Sequence, residues 1–264
     1  MDGRSTVLVT GAASGIGRAT AERLAGNGWN VLAVDRDAAK LGWADGAEHI
    51  AAFAADVTSE EDNRRMVAAA EARFGGLDAV ILNAGVTGGG SIDALSFADY
   101  QKVVAVNLFG PVLGIKAALP LLRKSKHPAI ALTSSTMGVA GDAENWAYCS
   151  TKHGVIGLVR SLSRELGCEG IRINALCPGL TKTGMTEAME ELAPDHYAEL
   201  IGKVPLQRWA DPDEMASVLE FLISPGASYV NGHAMVADGG AIVGTGLVGP
   251  RSSHASAIPE EVNR

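Results

Sequence analysis

Short runs that are apolar at every position alternate with longer stretches of helical spacing from the start of the chain. Val7-Leu8-Val9 is followed by a helical stretch from Gly15 to Gly28, then by Val31-Leu32-Ala33-Val34, closed by Asp35. The same alternation predicts strands at Ile50 to Ala54, Ala79 to Leu82, Ala129 to Thr133, Ile171 to Leu176 and Ala234 to Ala237, most of them separated by helices. A strand that is apolar throughout has both faces covered, because an alternating pattern would be expected if one face met water. The pattern therefore predicts an α/β fold built on a doubly wound parallel sheet with helices on both faces.

No Gly/Ser-rich or Pro-rich linker interrupts this alternation, and no repeat is visible. At 264 residues the chain is compatible with one α/β domain. The reading is a single domain over residues 1–243 and a tail over 244–264, where Gly246, Gly249 and Pro250 break any period. The most membrane-like stretch, Val103 to Leu122, is interrupted by Asn107, Gly110, Pro111, Lys116 and Pro120, so it is read as a buried helix of a soluble protein and no membrane partner is expected. With 47% hydrophobic and 20% charged residues, global disorder is excluded. A net charge of −8 disfavours phosphate backbones, so nucleic acid is not an expected partner either. Cys149, Cys168 and Cys177 cannot all pair with one another and are read as small buried hydrophobes in a reducing cytoplasm. The six histidines show no ligand spacing, and no metal is expected.

Two places hold candidate chemistry. Between the first strand and its helix lies Thr10-Gly11-Ala12-Ala13-Ser14-Gly15-Ile16-Gly17. A dinucleotide needs a tight turn, a backbone its pyrophosphate can approach, and a helix start whose free N–H groups and dipole attract negative charge. Glycines 11, 15 and 17 meet those needs, and Asp35 closes the next strand eighteen residues after Gly17, near the separation expected of a ribose-binding carboxylate. Such a carboxylate favours NAD, because the 2′-phosphate of NADP would face a like charge; the adjacent Arg36 keeps the phosphate alternative open. The second place is Tyr148 and Lys152, four apart in a predicted helix from Trp146 to Gly167 and so on one face. An ammonium there is expected to pull the phenol pKa down from about 10, as a general acid/base requires. Thirteen residues before Tyr148, Ser134-Ser135 follows a strand and places a hydroxyl at its carboxyl end.

Together with Asp56-Val57, Asn83-Ala84-Gly85, Asn107, Pro178-Gly179 and Asp238-Gly239-Gly240, these motifs stand in the order and spacing of the short-chain dehydrogenase/reductase family, which the chain resembles over roughly residues 5 to 240. The resemblance implies a Rossmann-type fold and an oxidoreductase. It implies Tyr148 as the proton donor or acceptor, with Ser135 steadying the substrate oxygen. Lys152 would bind the nicotinamide ribose and lower the Tyr148 pKa, and Asn107 would hold a water that links Lys152 to solvent. Gly11, Ser14, Gly15, Ile16, Gly17, Asp35, Asp56, Val57, Asn83, Ala84 and Gly85 would line the cofactor groove, with Pro178, Gly179, Thr181 and Thr183 at the nicotinamide and phosphates. Leu82 and Thr181 depart from residues common in the family. A homo-oligomer, most often a tetramer, is also implied.

The leading expectation is an NAD-dependent enzyme that interconverts a small neutral secondary alcohol and its ketone. A 3-oxoacyl-[acyl-carrier-protein] reductase is the alternative within enzymes, and a non-catalytic NAD-binding protein the alternative outside them. A segment from about Gly184 to Val204 is expected to act as a lid, with Met185, Met189 and Leu192 on one side. Val86 to Leu95 and Thr136 to Ala147, which contain no lysine or arginine, are the other expected pocket walls.

Overall fold

The computed structural model describes residues 3–184 and 191–243. Strands β1 (Thr6–Thr10), β2 (Asn30–Asp35), β3 (Ile50–Ala54), β4 (Ala79–Leu82), β5 (Ala129–Thr133), β6 (Arg172–Pro178) and β7 (Ala234–Ala237) form one parallel sheet in the order β3-β2-β1-β4-β5-β6-β7. Winding outward from β1 to β3 and then crossing back to β4 creates a switch point between β1 and β4, where a crevice opens beyond the strand ends. Gly11 and Asn83 are the first residues past those two strands.

Alternate residues of each central strand face opposite layers. Leu8, Leu32, Val80 and Ile130 join a core with helix α2 (Glu60–Phe74), helix α4 (Gly110–Leu122) and helix α5 (Trp146–Leu166). Val7, Val9, Val31 and Ile81 join a second core with helix α1 (Gly15–Gly26) and the helix Pro212–Ile223. Each fully buried side chain of this kind contributes about 1.5–3 kcal/mol. The edge strands β3 and β7 are only partly buried, because each has a neighbour on one side alone.

Helix α2 begins with Ser59 accepting from the Asp62 N–H at 3.2 Å, has three acids in its first turn, and stops at Gly75 in the left-handed region. Helix α1 has neither a side-chain cap nor an acid in its first turn, so its N-terminal N–H groups are left for another acceptor. It ends at Gly26, two residues before the expected Gly28, whose φ of 90° leaves the helical region.

Helix α3 (Phe97–Val104) runs into α4 through a π-helical segment, Ala105–Phe109. The resulting 26-residue helix has a mean hydropathy of 1.6 in its most apolar window and is long and apolar enough to cross a membrane by that criterion alone. Its expected burial is partial: Ile115, Ala118, Leu121 and Leu122 pack on the sheet, whereas Phe109 is 57% exposed. The cysteine reading also needs one correction. Cys149 and Cys177 are buried, but Cys168 lies past the end of α5 and is exposed, with its thiol on the Glu165 carbonyl. Residues 244–264, read as a tail, and Met185 and Met189 of the expected lid lie outside the described residues. Leu192 is 83% exposed and covers nothing in this structure. Helix α6 (Pro194–Gly202) follows it, and Pro212–Ile223 is α7.

Candidate active site

The crevice at the switch point is a groove of about 830 Å³ lined by Gly11, Ser14, Asp35, Asp56, Val57, Ala84 and Gly85, among others. Thr10 closes its base: its Oγ1 accepts from the Asn83 and Ala84 N–H groups at 3.0 and 3.1 Å, tying β1 to β4. A Cβ added to Gly17 would fall 2.0 Å from the Gly11 carbonyl oxygen, so the turn closes only with glycine there. Gly11 and Gly15 have φ of 70° and 53°, in the left-handed region. Gly15, Ile16 and Gly17 thereby form an uncapped helix start at the groove. Asp35 is held by two backbone donors, Ala13 N–H at 3.2 Å and Asp37 N–H at 3.1 Å, which fix its carboxylate at the groove wall. Asp56 accepts from the N–H and hydroxyl of Thr58, both at 2.8 Å. The cradle, the uncapped N-terminus and the fixed carboxylate fit a dinucleotide.

Gly15, Ile16, Gly17 and Asn83 are not themselves among the residues that line this groove, and neither are Pro178, Gly179, Thr181 and Thr183. Gly179 packs on the Asp238 backbone, where a Cβ would approach within 2.7 Å, and donates to the Ala237 carbonyl at 2.9 Å. Thr181 is buried, with its hydroxyl on the Gly179 carbonyl at 3.1 Å. Together they set the loop that brings the Thr183 methyl within 3.2 Å of the Cβ position on Gly15.

Helix α5 supplies the chemical end. Its buried stripe contains Ala147, Thr151, Lys152, Val155, Ile156 and Val159, so Lys152 stands on the apolar face and is only 3% exposed. Its ammonium donates to the Thr133 carbonyl at 2.8 Å and lies 5.4 Å from the centroid of the Tyr148 ring. Burial lowers the Lys152 pKa to about 8, the nearby Cys177 opposing. Burial likewise pushes the Tyr148 phenol above its usual 10, while a hydrogen bond with Ser135 pulls it back. The expected depression of the phenol by Lys152 is therefore not present in this state, because desolvation outweighs every favourable contact.

The two adjacent serines divide their roles. Ser134 is buried and bonds the Lys152 carbonyl at 2.9 Å, bracing α5. Ser135 accepts from the Met137 N–H at 3.1 Å and faces Tyr148.

Asn107 lies in the π-helical segment and is 1% exposed. Its Oδ1 accepts from the Val86 N–H at 2.8 Å, and its Nδ2 donates to the Val86 carbonyl at 2.9 Å and to Thr151 Oγ1 at 3.2 Å. Both amide protons are thus engaged, and a water held by this residue would have to use an acceptor. Thr10, Thr133, Ser134 and Thr151 had no assigned role from sequence; the available signal was a hydroxyl residue at a strand end or beside Lys152.

The expected pocket walls meet at the Gly90 N–H, which donates to the Glu144 carbonyl at 2.7 Å; Glu144 itself has φ of 60°, a strained value for a residue with a side chain. Lys203, the lid's lysine, is paired with Glu199 at 2.8 Å. Among the described residues no group of three or more His, Cys, Asp or Glu side chains is placed to hold a metal ion.

A crevice fit for a dinucleotide, with Gly85 of its wall against a buried ammonium that neighbours a phenol and a hydroxyl, defines an oxidoreductase of the nucleotide-dependent class. Comparison with known proteins sharpens that class. The family model described as Enoyl-(Acyl carrier protein) reductase matches residues 11–241. Levodione reductase of Leifsonia aquatica is 38% identical over 248 residues, covering 89% of this chain and 92% of that protein. Meso-2,3-butanediol dehydrogenase of Serratia marcescens is 36% identical, covering 91% and 95%. The crystal structure of levodione reductase superposes with a TM-score of 0.83 at 35% identity, covering 89% of this chain and 96% of that one. The chain belongs to the short-chain dehydrogenase/reductase family, whose oxidoreductases generally use NAD or NADP.

Proposed function

We propose that this enzyme is an NAD-dependent dehydrogenase that interconverts a neutral secondary alcohol and its ketone. The observation that supports this most directly is the grouping of Ser135, Tyr148 and Lys152, with the Lys152 ammonium against Gly85 of the groove that Asp35 also lines. NAD would be held at its phosphates by the turn from Gly11 to Gly17 with Thr183, at the adenosine ribose by Asp35, and at the adenine by Asp56 and Val57. Asn83, Ala84 and Gly85 would flank its middle, and Pro178, Gly179, Thr181 and Lys152 would shape the nicotinamide end. When bound, the cofactor supplies the acceptor or donor of a hydride.

The proton belongs to the chain's own residues. Ser135 faces Tyr148, and the two can converge on one substrate oxygen. In oxidation the phenolate takes the hydroxyl proton; in reduction the phenol returns it to the carbonyl oxygen. Lys152 favours the phenolate through its charge, which acts in a site of low dielectric.

Asp35 supports NAD over NADP, because its fixed carboxylate would repel a 2′-phosphate and Ser14 is uncharged, whereas Arg36, which also lines the groove, is the group that would favour a phosphate. Neutrality of the substrate is supported by the pocket walls at residues 86–95 and 136–147, which offer no cation, and by the engagement of Lys203 with Glu199. Burying an unpaired substrate anion there would be costly. A panel of cyclic and acyclic secondary alcohols, polyols, hydroxy acids and acyl thioesters, assayed by NADH and NADPH absorbance, tests the reading. Higher kcat/KM for the acids or thioesters than for every neutral alcohol would overturn the substrate class, and no turnover of any member would favour a non-catalytic protein.

A second reading, reduction of a 3-oxoacyl group on a carrier protein, is favoured by the 32% identity to the 3-oxoacyl-[acyl-carrier-protein] reductase of Thermotoga maritima over 89% of this chain. Asp35, the neutral Ser14 and the net charge of −8 weigh against it. We also read the enzyme as a homo-oligomer, a tetramer by family habit, a reading supported by the exposure of Phe97 at 72% and Phe109 at 57%. Light scattering that returned a monomer at micromolar concentration would overturn it.

A further inference from the structure

We infer that Thr151 is a positioning residue for proton transfer, its hydroxyl locking the Asn107 amide, and through it the Gly85-Val86 backbone, against Lys152. The inference rests on the reading of Tyr148 and Lys152 as the proton-transfer groups.

Thr151 is 1% exposed, and its hydroxyl donates to the Tyr148 carbonyl at 2.8 Å. A hydroxyl has one proton, so towards Asn107 it can only accept. The 3.2 Å contact therefore requires an amide N–H, not the amide oxygen, to face α5. Val86 makes the matching demand from the other side, with its N–H on Oδ1 at 2.8 Å and its carbonyl on Nδ2 at 2.9 Å. The two bonds to Val86 tie the amide to the loop after β4 alone. The third bond, to a different element, ties that loop to the helix that bears Tyr148 and Lys152.

What the clamp holds in place is next to the ammonium. A Cβ on Gly85 would stand 3.4 Å from Asn107 Oδ1 and 3.5 Å from Lys152 Nζ, so the Gly85 backbone is packed between the two with no side chain as a buffer. A displacement of the Val86 clamp is therefore transmitted to the surroundings of Lys152 directly. The π-helical segment makes this dependence stronger, since Asn107 is placed by an irregular turn, and its buried amide would lose a partner if the hydroxyl were removed.

The test compares Thr151→Val, which preserves shape and removes the hydroxyl, with Thr151→Ser, which preserves the hydroxyl and removes a methyl. Wild type and variants are assayed with NAD and either cyclohexanol or meso-2,3-butanediol, and the amide exchange of residues 84–88 is followed by mass spectrometry with and without NADH. Thr151→Val is expected to lower kcat by between about threefold and about a hundredfold, to displace the pH limb of kcat, and to leave the KM for NAD within about twofold. Its Val86 amide should exchange at least about tenfold faster than wild type, while Thr151→Ser stays near wild type in every readout. Should Thr151→Val fail to fold, Thr151→Ala is compared in its place. A hydroxyl-free variant with wild-type exchange at residues 84–88, or a serine variant as impaired as the valine one, would overturn the inference; so would a fall in thermal stability with the kcat pH profile unmoved. Tyr148→Phe separates the two levels of the argument. If it retains wild-type kcat, the underlying reading fails; if it is inactive while Thr151→Val matches wild type in turnover and exchange, only the role of Thr151 fails.

Discussion

Replacing Lys152 by methionine should lower turnover sharply and at the same time remove a large burden on the fold. The side chain is 3% exposed, and burial holds its pKa at about 8, against a usual 10.5. At 1.36 kcal/mol per pH unit, keeping the ammonium buried at neutral pH costs roughly 3 kcal/mol. Methionine has a similar length and no charge. It would leave the Thr133 carbonyl without its 2.8 Å donor, a loss of about 1–3 kcal/mol. The net effect at pH 7 is thus between neutral and about 2 kcal/mol in favour of the variant. The pH dependence isolates the charge. Below pH 8 the lysine is protonated in both folded and unfolded chains, and the penalty is constant. Between about 8 and 10.5 the unfolded chain keeps a proton that the folded one has released, so wild-type stability rises with pH, and the methionine variant has no such gain. From pH 7 to pH 9.5 wild type should gain about 2 kcal/mol on the variant. Urea unfolding of both proteins at the two pH values and one protein concentration measures this difference, and groups whose titration does not depend on Lys152 cancel. A gap that does not change with pH, or wild type losing ground as pH rises, would show that the ammonium is not desolvated and would refute the reasoning.

Asp35→Asn should narrow the preference for NAD, since it removes the charge but not the fold of the β2 end; equal kcat/KM for the two cofactors in wild type would show the carboxylate to be irrelevant. Tyr148→Phe should lower kcat by about 10²- to 10⁴-fold, the usual worth of general acid/base catalysis, with NADH affinity by fluorescence titration nearly intact. A variant that kept more than about a tenth of wild-type kcat, with chemistry rate-limiting, would count against the assignment. Gly17→Ala puts a methyl 2.0 Å from the Gly11 carbonyl oxygen and must open the turn, so NADH should bind at least about tenfold more weakly, roughly 1.4 kcal/mol. Unchanged NADH affinity in that variant would place the cofactor elsewhere.

The strands were legible because a sheet covered on both faces leaves no polar positions to blur the pattern. Ile50–Ala54, Ala79–Leu82, Ala129–Thr133 and Ala234–Ala237 have the expected bounds, β1 and β2 are longer by the polar residues at their ends, and β6 is shifted, losing Ile171 and gaining Cys177 and Pro178. The burial of Lys152 was also open to reading, since positions 152, 155, 156 and 159 form one apolar stripe at helical spacing. Ala105–Phe109 was not, because nothing in Ala-Val-Asn-Leu-Phe distinguishes a π-helical turn from an α-helical one; Asn107 reaching Val86 and Thr151 is a tertiary matter. Nor could sequence separate Ser134 from Ser135 without the family resemblance, as both follow β5. The phenol pKa went the other way from expectation for a related reason: helical spacing brings a lysine near a tyrosine but says nothing of how dry their surroundings are.

That dryness acts on both groups in the same sense and joins them. Desolvation favours whichever form is neutral, so it lowers Lys152 to about 8 and raises Tyr148 above its usual 10, and neither shift by itself produces a base at neutral pH. Charge becomes favourable only when ammonium and phenolate are present together, each offsetting the other's loss of water. The proton taken from the alcohol then belongs to the pair, and the pH limb of kcat reports the pair's titration, not that of tyrosine alone. In Lys152→Met the phenol retains its burial and the Ser135 hydrogen bond but loses the cation, so residual alcohol oxidation should rise with pH to a limb displaced upward from wild type. Measuring kcat of the two proteins with saturating NAD across pH 6 to 10.5 decides the matter. A limb in the same place for both would show that Lys152 acts on substrate or cofactor binding without tuning Tyr148.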